Sequence, residues 1–462
     1  MVSVDGGETV WIHWDTVGFP YLATVRWAAE DLLTLVVQDR RQHSLALLGA
    51  NPRTGESWEI HSERDEAWLN LDQQMPRWLD DGQRFLWTTE RNGAWALELR
   101  SREGELERVL VEPGFAYSDL IHIDEEADEL WFRAQPEPTE SQVFRTGLLT
   151  ETAVELVTSE SGWHYASVSD DGSWLHTASL SDGTNVRDVV RRDGVRIPMD
   201  SHSVPVPFET NLEIRTVGEL EFRASIVRPS DFDRSAQYPV IVSVYGGPMS
   251  QSVRQSPGSF VYQQWFANQG FIVVSFDGRG TPHRGRDWER ASDGRFVEIA
   301  LEDQSAALEA LLLEIPEMDA SRVGVMGWSF GGTMAAVMTM RRPDLYQCGI
   351  SGAPVTDWRD YDTHYTERYL GLPDENPEAY EANNVIAFAA ELARPLMLIH
   401  GAMDDNVYFS HSAQLFDALL RSGAEVDFVP LFGATHMVAD RELSGALQAR
   451  YLRFFMEHLS AR

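Results

Sequence analysis

The sequence predicts a doubly wound, mostly parallel α/β sheet in the C-terminal part of the chain, preceded by an all-β part made of repeated small sheets. Three observations carry this. Apolar strand runs alternate with helical runs from residue 206 onward, and one strand passes through a Gly-x-Ser-x-Gly turn into a small-residue helix. Before residue 206 that alternation is absent, and short aromatic runs follow acidic turns at a regular period. The expected division is 1–205 and 206–462.

The turn is Gly327-Trp-Ser329-Phe-Gly331, between the apolar run Ser321–Gly327 and the helical run Thr333–Met340, which stops at Arg342-Pro343. Such a sharp strand-to-helix turn lifts a serine hydroxyl above a sheet, and the two glycines remove side chains that would collide there. A serine in water is a poor nucleophile, so it needs a histidine base and an orienting carboxylate, which in α/β-hydrolases follow in the order Ser, acid, His. The run Pro395–His400 reads as a strand, and the turn after it offers Asp404 and Asp405. A helix over Ser410–Ser422, a strand over Glu425–Leu431 and a loop containing His436 come next. His436 therefore tops the last strand, ahead of a C-terminal helix, where this fold needs its base. His400 at a buried strand end, and His411 and His458 in helices, read as structural histidines.

Further runs are longer than a generic hydrolase requires. Tyr245-Gly-Gly-Pro248 follows the strand Tyr238–Val244, and Phe276-Asp-Gly-Arg-Gly-Thr281 follows Phe271–Ser275. Ala353-Pro-Val-Thr-Asp-Trp358 precedes Tyr361-Asp-Thr-His-Tyr-Thr-Glu-Arg-Tyr-Leu-Gly371, and His400-Gly-Ala-Met-Asp-Asp-Asn-Val407 completes the set. From about Phe208 to the C-terminus these runs resemble the catalytic domain of the prolyl oligopeptidase family of serine peptidases, in its dipeptidyl peptidase IV branch. The resemblance implies release of X-Pro or X-Ala dipeptides from free peptide N-termini through an acyl-enzyme. It makes Ser329 the nucleophile, His436 the base, and Asp404, in preference to Asp405, the orienting acid. Tyr245 and the backbone N–H of Phe330 become the oxyanion hole, and Asn406 a substrate-contacting amide. Tyr361, Tyr365, Val355, Trp358 and Val407 become the walls of a small pocket for the proline ring; by periodicity alone they read as ordinary core. His364 and Glu367 have no separate role. The family's tyrosine after the nucleophile is replaced by Phe330, which keeps the backbone donor.

The N-terminal part shows aromatic strand runs at Thr9–Trp14, Thr24–Trp27, Leu32–Val37, Arg84–Trp87, Glu129–Phe132 and Ser173–His176. Acidic turns at Asp80–Gly82, Asp124–Ala127 and Asp170–Gly172 recur at about forty-five residues, the period of a four-stranded propeller blade. About two hundred residues at that period give about four blades of a partial β-propeller, whereas the resembled branch carries eight. The expectation is a truncated N-terminus, or blade edges closed against another chain. The glutamate pair and arginine with which the family's propeller holds a substrate's amino end have no counterpart in this region. Glu125-Glu126 reads as a solvated turn.

Composition bounds the rest. The chain has 462 residues, 43% of them hydrophobic, which suffices for two cores. Its single cysteine, Cys348, excludes an internal disulfide framework and reads as a buried thiol. Zinc-ligand spacing and a phosphate-cradling glycine loop are missing, so no metal and no cofactor are expected. The net charge is −34 and all 38 basic residues are arginine, a surface that repels nucleic acid and anionic membrane and fits adaptation to high salt. Without a long apolar run or a basic-then-apolar leader, the expected location is the cytoplasm. The expected partners are peptide substrates and a second copy in a homodimer. An acylaminoacyl peptidase or esterase-like hydrolase, and an inactive fragment or partner subunit, stand as the alternatives.

Overall fold

The computed structural model describes residues 1–2, 4–29 and 31–460. Among these, residues 21–64, 77–111, 117–156 and 162–198 each form a four-stranded antiparallel sheet, with the strands of each sheet in sequential order. The acidic turns fall in the first hairpin of the last three sheets: Asp80–Gly82 ahead of Arg84–Thr89, Asp124 ahead of Glu129–Ala134, and Asp170–Gly172 ahead of Trp174–Leu180. Each turn leads into an interior strand whose bulky residues are buried, among them Phe85, Trp87, Leu130, Phe132 and Trp174. The forty-five-residue period is thus the period of the propeller-like blades. Glu125 ties two of them together, its carboxylate accepting the Asp80 amide at 2.7 Å. Thr9–Trp14 departs from expectation. It forms no strand and runs past the hairpin at Gly55, held by single bonds such as His13 N–H to Gly55 O at 2.9 Å. Its bulky side chains split between solvent, for Trp11, and a small cluster with Leu33, Leu35 and Val37, for Ile12 and Trp14.

The second architecture is one eight-stranded sheet. Its strands are β1 (Leu212–Val217), β2 (Phe222–Val227), β3 (Tyr238–Ser243), β4 (Ile272–Asp277), β5 (Met318–Trp328), β6 (Cys348–Gly352), β7 (Leu396–Gly401) and β8 (Val426–Leu431). They lie in the order β1-β2-β4-β3-β5-β6-β7-β8. Only the β1–β2 and β2–β4 pairs are antiparallel. The central strands are buried on both faces and read as continuous apolar runs, as parallel strands covered by helices do. The serine turn, the acid turn and the histidine loop follow the C-terminal ends of β5, β7 and β8, at one rim of the sheet.

The blades dock on this domain through charged and aromatic groups. The loop 39–43 of the first blade meets the helix Thr363–Leu370. Arg40 forks onto the buried Glu367 at 2.8 and 2.6 Å, and Gln42 donates to the His364 carbonyl at 2.5 Å while accepting from Arg368 at 2.7 Å. Glu367, expected to have no role, is therefore an anchor for the blades. A second contact buries two carboxylates together. Asn70 donates to both Glu90 and Glu289 at 3.0 Å, and Arg290 reaches Glu90 at 2.7 Å and Glu289 at 3.3 Å. One guanidinium cannot neutralise two dry carboxylates, and desolvation, with Glu90 second, raises the Glu289 pKa. A raised folded-state pKa gives stability that is present below the ordinary glutamate range and is lost as pH rises through the folded value. Glu289→Gln is therefore expected to flatten the wild-type loss of stability between the ordinary glutamate value of 4.5 and the folded value of about 8, a difference of at least about 1 kcal/mol in urea unfolding. Parallel wild-type and variant profiles would refute it.

Candidate active site

At the end of β5 the chain turns so sharply that Ser329 takes φ 58° and ψ −123°, outside the usual regions for an L-residue. The neighbouring glycines are required by close approach. A Cβ on Gly327 would lie 2.1 Å from the Gly331 carbonyl oxygen, and one on Gly331 would lie 2.3 Å from that of Val244. The Ser329 amide donates to Gly352 O at 2.9 Å, which ties the turn to β6. The helix Phe330–Arg341 starts at once, so the Phe330 N–H is one of its unpaired first-turn donors.

The acid turn sorts its two aspartates by burial. The Asp404 side chain is fully buried, whereas Asp405 is exposed. Asp404 Oδ1 accepts the amides of Asn406 at 3.0 Å and Val407 at 2.9 Å, and Oδ2 faces His436 Nδ1 at 2.8 Å. With Oδ1 committed to the two amides, Oδ2 accepts from the imidazole and fixes it with Nδ1 protonated and Nε2 free. The histidine loop is also held from the nucleophile's side, because Trp328 Nε1 donates to the His436 carbonyl at 2.9 Å. That brace was not foreseen from sequence; an indole next to a nucleophile reads as a core aromatic.

Tyr245 lies just beyond β3, against the elbow. Its ring centroid is 6.1 Å from that of Phe330, and a Cβ on the intervening Gly247 would meet both rings at under 3 Å. Burial raises the pKa of the phenol, so it stays a donor. The loop after it is pinned by Asp277, fully buried at the end of β4, which accepts the amides of Ser252 and Val253, both at 2.8 Å. The run containing Asp277 was noticed in the sequence; its link to the tyrosine loop, 24 residues earlier, was not legible there.

The aromatic residues come together beside the elbow. Trp358 stacks with Tyr365 at 6.2 Å, Tyr361 meets Tyr365 edge-on at 5.7 Å, and Phe330 approaches Trp358 at 5.6 Å. Val355, Trp358 and Val407 are buried behind the two half-exposed tyrosines. The Tyr361 hydroxyl donates to Asn406 Oδ1 at 2.9 Å, which leaves the exposed amide nitrogen of Asn406 as a free donor. Behind the pocket Tyr365 packs on Tyr369 at 5.1 Å, Tyr369 on Trp68 of the blades at 5.0 Å, and Arg290 lies over Trp68 at 4.8 Å. Cys348 is buried in the core; His411 is buried too, its Nδ1 accepting the Thr356 amide at 3.2 Å.

Comparison with known proteins places both halves. Residues 258–462 match the prolyl oligopeptidase family, and residues 1–185 match the dipeptidyl peptidase IV N-terminal region. Dipeptidyl peptidase 8 of Mus musculus is 35% identical over 243 residues, 51% of this chain and 27% of that protein. Prolyl endopeptidase FAP of Mus musculus is 34% identical over 268 residues, 56% of this chain and 34% of that protein. The crystal structure of Porphyromonas gingivalis dipeptidyl peptidase 4 superposes with a TM-score of 0.88 at 25% identity, covering 95% of this chain and 64% of that one. The chain thus spans about a third or less of the curated relatives and about two thirds of the solved one. Serine elbows with a buried acid and a late histidine occur across many hydrolases, but blades and catalytic sheet here match the same kind of protein: the chain belongs to the prolyl oligopeptidase family, with an N-terminal region of the dipeptidyl peptidase IV type.

Proposed function

We propose that this chain is a serine peptidase that releases X-Pro or X-Ala dipeptides from peptide N-termini through an acyl-enzyme on Ser329. The observation that carries the proposal is the buried Asp404, 2.8 Å from His436, whose loop Trp328 braces to the elbow, beside the paired rings of Tyr361 and Tyr365. His436 Nε2 takes the Ser329 proton as Oγ attacks the scissile carbonyl. Tyr245 O–H and Phe330 N–H stabilise the oxyanion, and His436 then gives its proton to the departing amine. Water enters by the same route and frees the dipeptide. Tyr361, Tyr365, Trp358, Val355 and Val407 hold the proline ring, and Asn406 donates to the peptide. No metal or cofactor takes part in this sequence of steps.

A second reading has its own support. The blade loop that reaches the pocket helix occupies two glutamates of the catalytic domain, Arg40 pairing with Glu367 and Arg41 with Glu375, so neither carboxylate is left to hold an ammonium group. Glutamates already engaged in this way favour acyl-blocked peptides or esters, the substrates of an acylaminoacyl peptidase or esterase-like hydrolase. A free-amine Gly-Pro anilide, its N-blocked twin and a simple acyl ester, assayed in low and molar salt, separate the readings. Turnover of the free-amine anilide alone, lost in Ser329→Ala and greater in molar salt, is the expected result. Turnover of only the blocked anilide and the ester would transfer the site to the second reading. A folded protein silent on all three would overturn both and leave an inactive fragment or partner subunit.

A further inference from the structure

His400, the next-to-last residue of β7, is fully buried beside the acid turn. Its Nε2 lies 2.8 Å from the Val407 carbonyl oxygen and 3.4 Å from Asp404 Oδ2, while Ser412 Oγ lies 2.7 Å from its Nδ1. A carbonyl can only accept, so Nε2 carries the hydrogen, Nδ1 is bare, and the Ser412 hydroxyl donates to it. Burial lowers the pKa of the ring, which is therefore a neutral donor. Val407 closes the circuit. Its carbonyl receives His400 while its own N–H, at 2.9 Å, donates to Asp404 Oδ1. The other titratable groups facing this cluster are His436 itself, His411 on the helix that carries Ser412, and Tyr361 from the pocket. Burial keeps His411 neutral and Tyr361 protonated, so neither brings a charge.

We infer that His400, held in its Nε2–H tautomer by Ser412, is a positioning residue for the triad: its one N–H is spent on the Val407 carbonyl, which sets the Val407 amide on Asp404 Oδ1 and so keeps the carboxylate in register for His436. The inference rests on the roles proposed for Ser329, Asp404 and His436. A residue that merely filled the core would alter stability or the amount of active protein; one that holds the Asp404 turn in register also moves the acid limb of the reaction. Without this brace the Val407 amide is no longer held on Asp404 Oδ1, the carboxylate acts on His436 more strongly, and the acid limb of the reaction moves up.

The test is the pH dependence of the rate at which a fluorophosphonate probe labels Ser329, which requires no knowledge of the peptide substrate. His400→Asn and His400→Phe remove the donor at the Nε2 position, whereas the amide nitrogen of His400→Gln restores one there. The acid limb of the profile is expected to move up by about 0.5–1 pH unit in the first two and to stay at the wild-type position in the third. If the phenylalanine variant does not fold, the smaller asparagine variant decides alone. Acid limbs that coincide in folded wild-type and Asn variants would overturn the inference. Wild-type protein that fails to label would overturn the triad reading itself, and the inference with it, an outcome recognisable because it needs no variant.

Discussion

Asp404→Asn is expected to lower kcat/KM for whichever substrate proves active by about 10⁴-fold while leaving the fold intact. The carboxylate holds His436 through Nδ1–H at 2.8 Å, and its other oxygen is committed to the amides of Asn406 and Val407. In the variant the amide oxygen serves those two backbone donors best. The NH₂ group then faces His436, and a donor facing Nδ1 forces the imidazole into the opposite tautomer, with Nε2 protonated and unable to accept the Ser329 proton. Asp405→Asn is the matched control, because that side chain is exposed, and its expected kcat/KM is that of the wild type. Both are read by steady-state kinetics alongside circular dichroism. A fall below tenfold for Asp404→Asn, or a larger fall for Asp405→Asn, would remove Asp404 from the triad.

Tyr245→Phe is expected to reduce kcat by about a hundredfold with little change in KM. The hydroxyl matters only when the carbonyl oxygen has become an oxyanion, so its loss is felt in the transition state and hardly in the ground state. The buried phenol is kept protonated by desolvation, and the ring is lodged against Phe330 at 6.1 Å, so the variant keeps its packing while losing one donor. The Phe330 N–H remains, which is why the fall is smaller than for Asp404→Asn. An unchanged kcat would mean that the helix N–H alone serves the oxyanion; a raised KM with unchanged kcat would move Tyr245 to substrate binding.

Much of this site was legible because its signals are local. A Gly-x-Ser-x-Gly between strand and helix, an acid turn after an apolar run and a histidine loop ahead of the last helix each occupy a few consecutive residues, and the sheet brings three strand ends together without further instruction. The blade period was legible for the same reason, since each acidic turn announces the hairpin that follows. Thr9–Trp14 misled because a short run of aromatic and β-branched residues looks like a strand whether or not a neighbouring strand exists to pair with. What stayed hidden depends on distant pairing. Arg40 and Glu367 are separated by 327 residues, and Asn70 and Glu289 by 219, so no window of sequence shows either contact. His400 was read correctly as buried, yet burial in an apolar strand gives no sign that its ring nitrogen faces a carboxylate.

The helix Thr363–Leu370 is a beam supported from two sides. One face carries Tyr365 to the proposed proline pocket; the same helix is clamped to the first blade through His364, Glu367 and Arg368. A small rotation of that blade would be delivered through loop 39–43 to the helix, and so to the tyrosine ring. The blade therefore works as a splint, and the stiffness of the pocket is a property of the joint between the two domains as much as of the catalytic sheet. Reagents or substitutions that loosen loop 39–43 should be felt as a wider, softer pocket well before the sheet itself gives way.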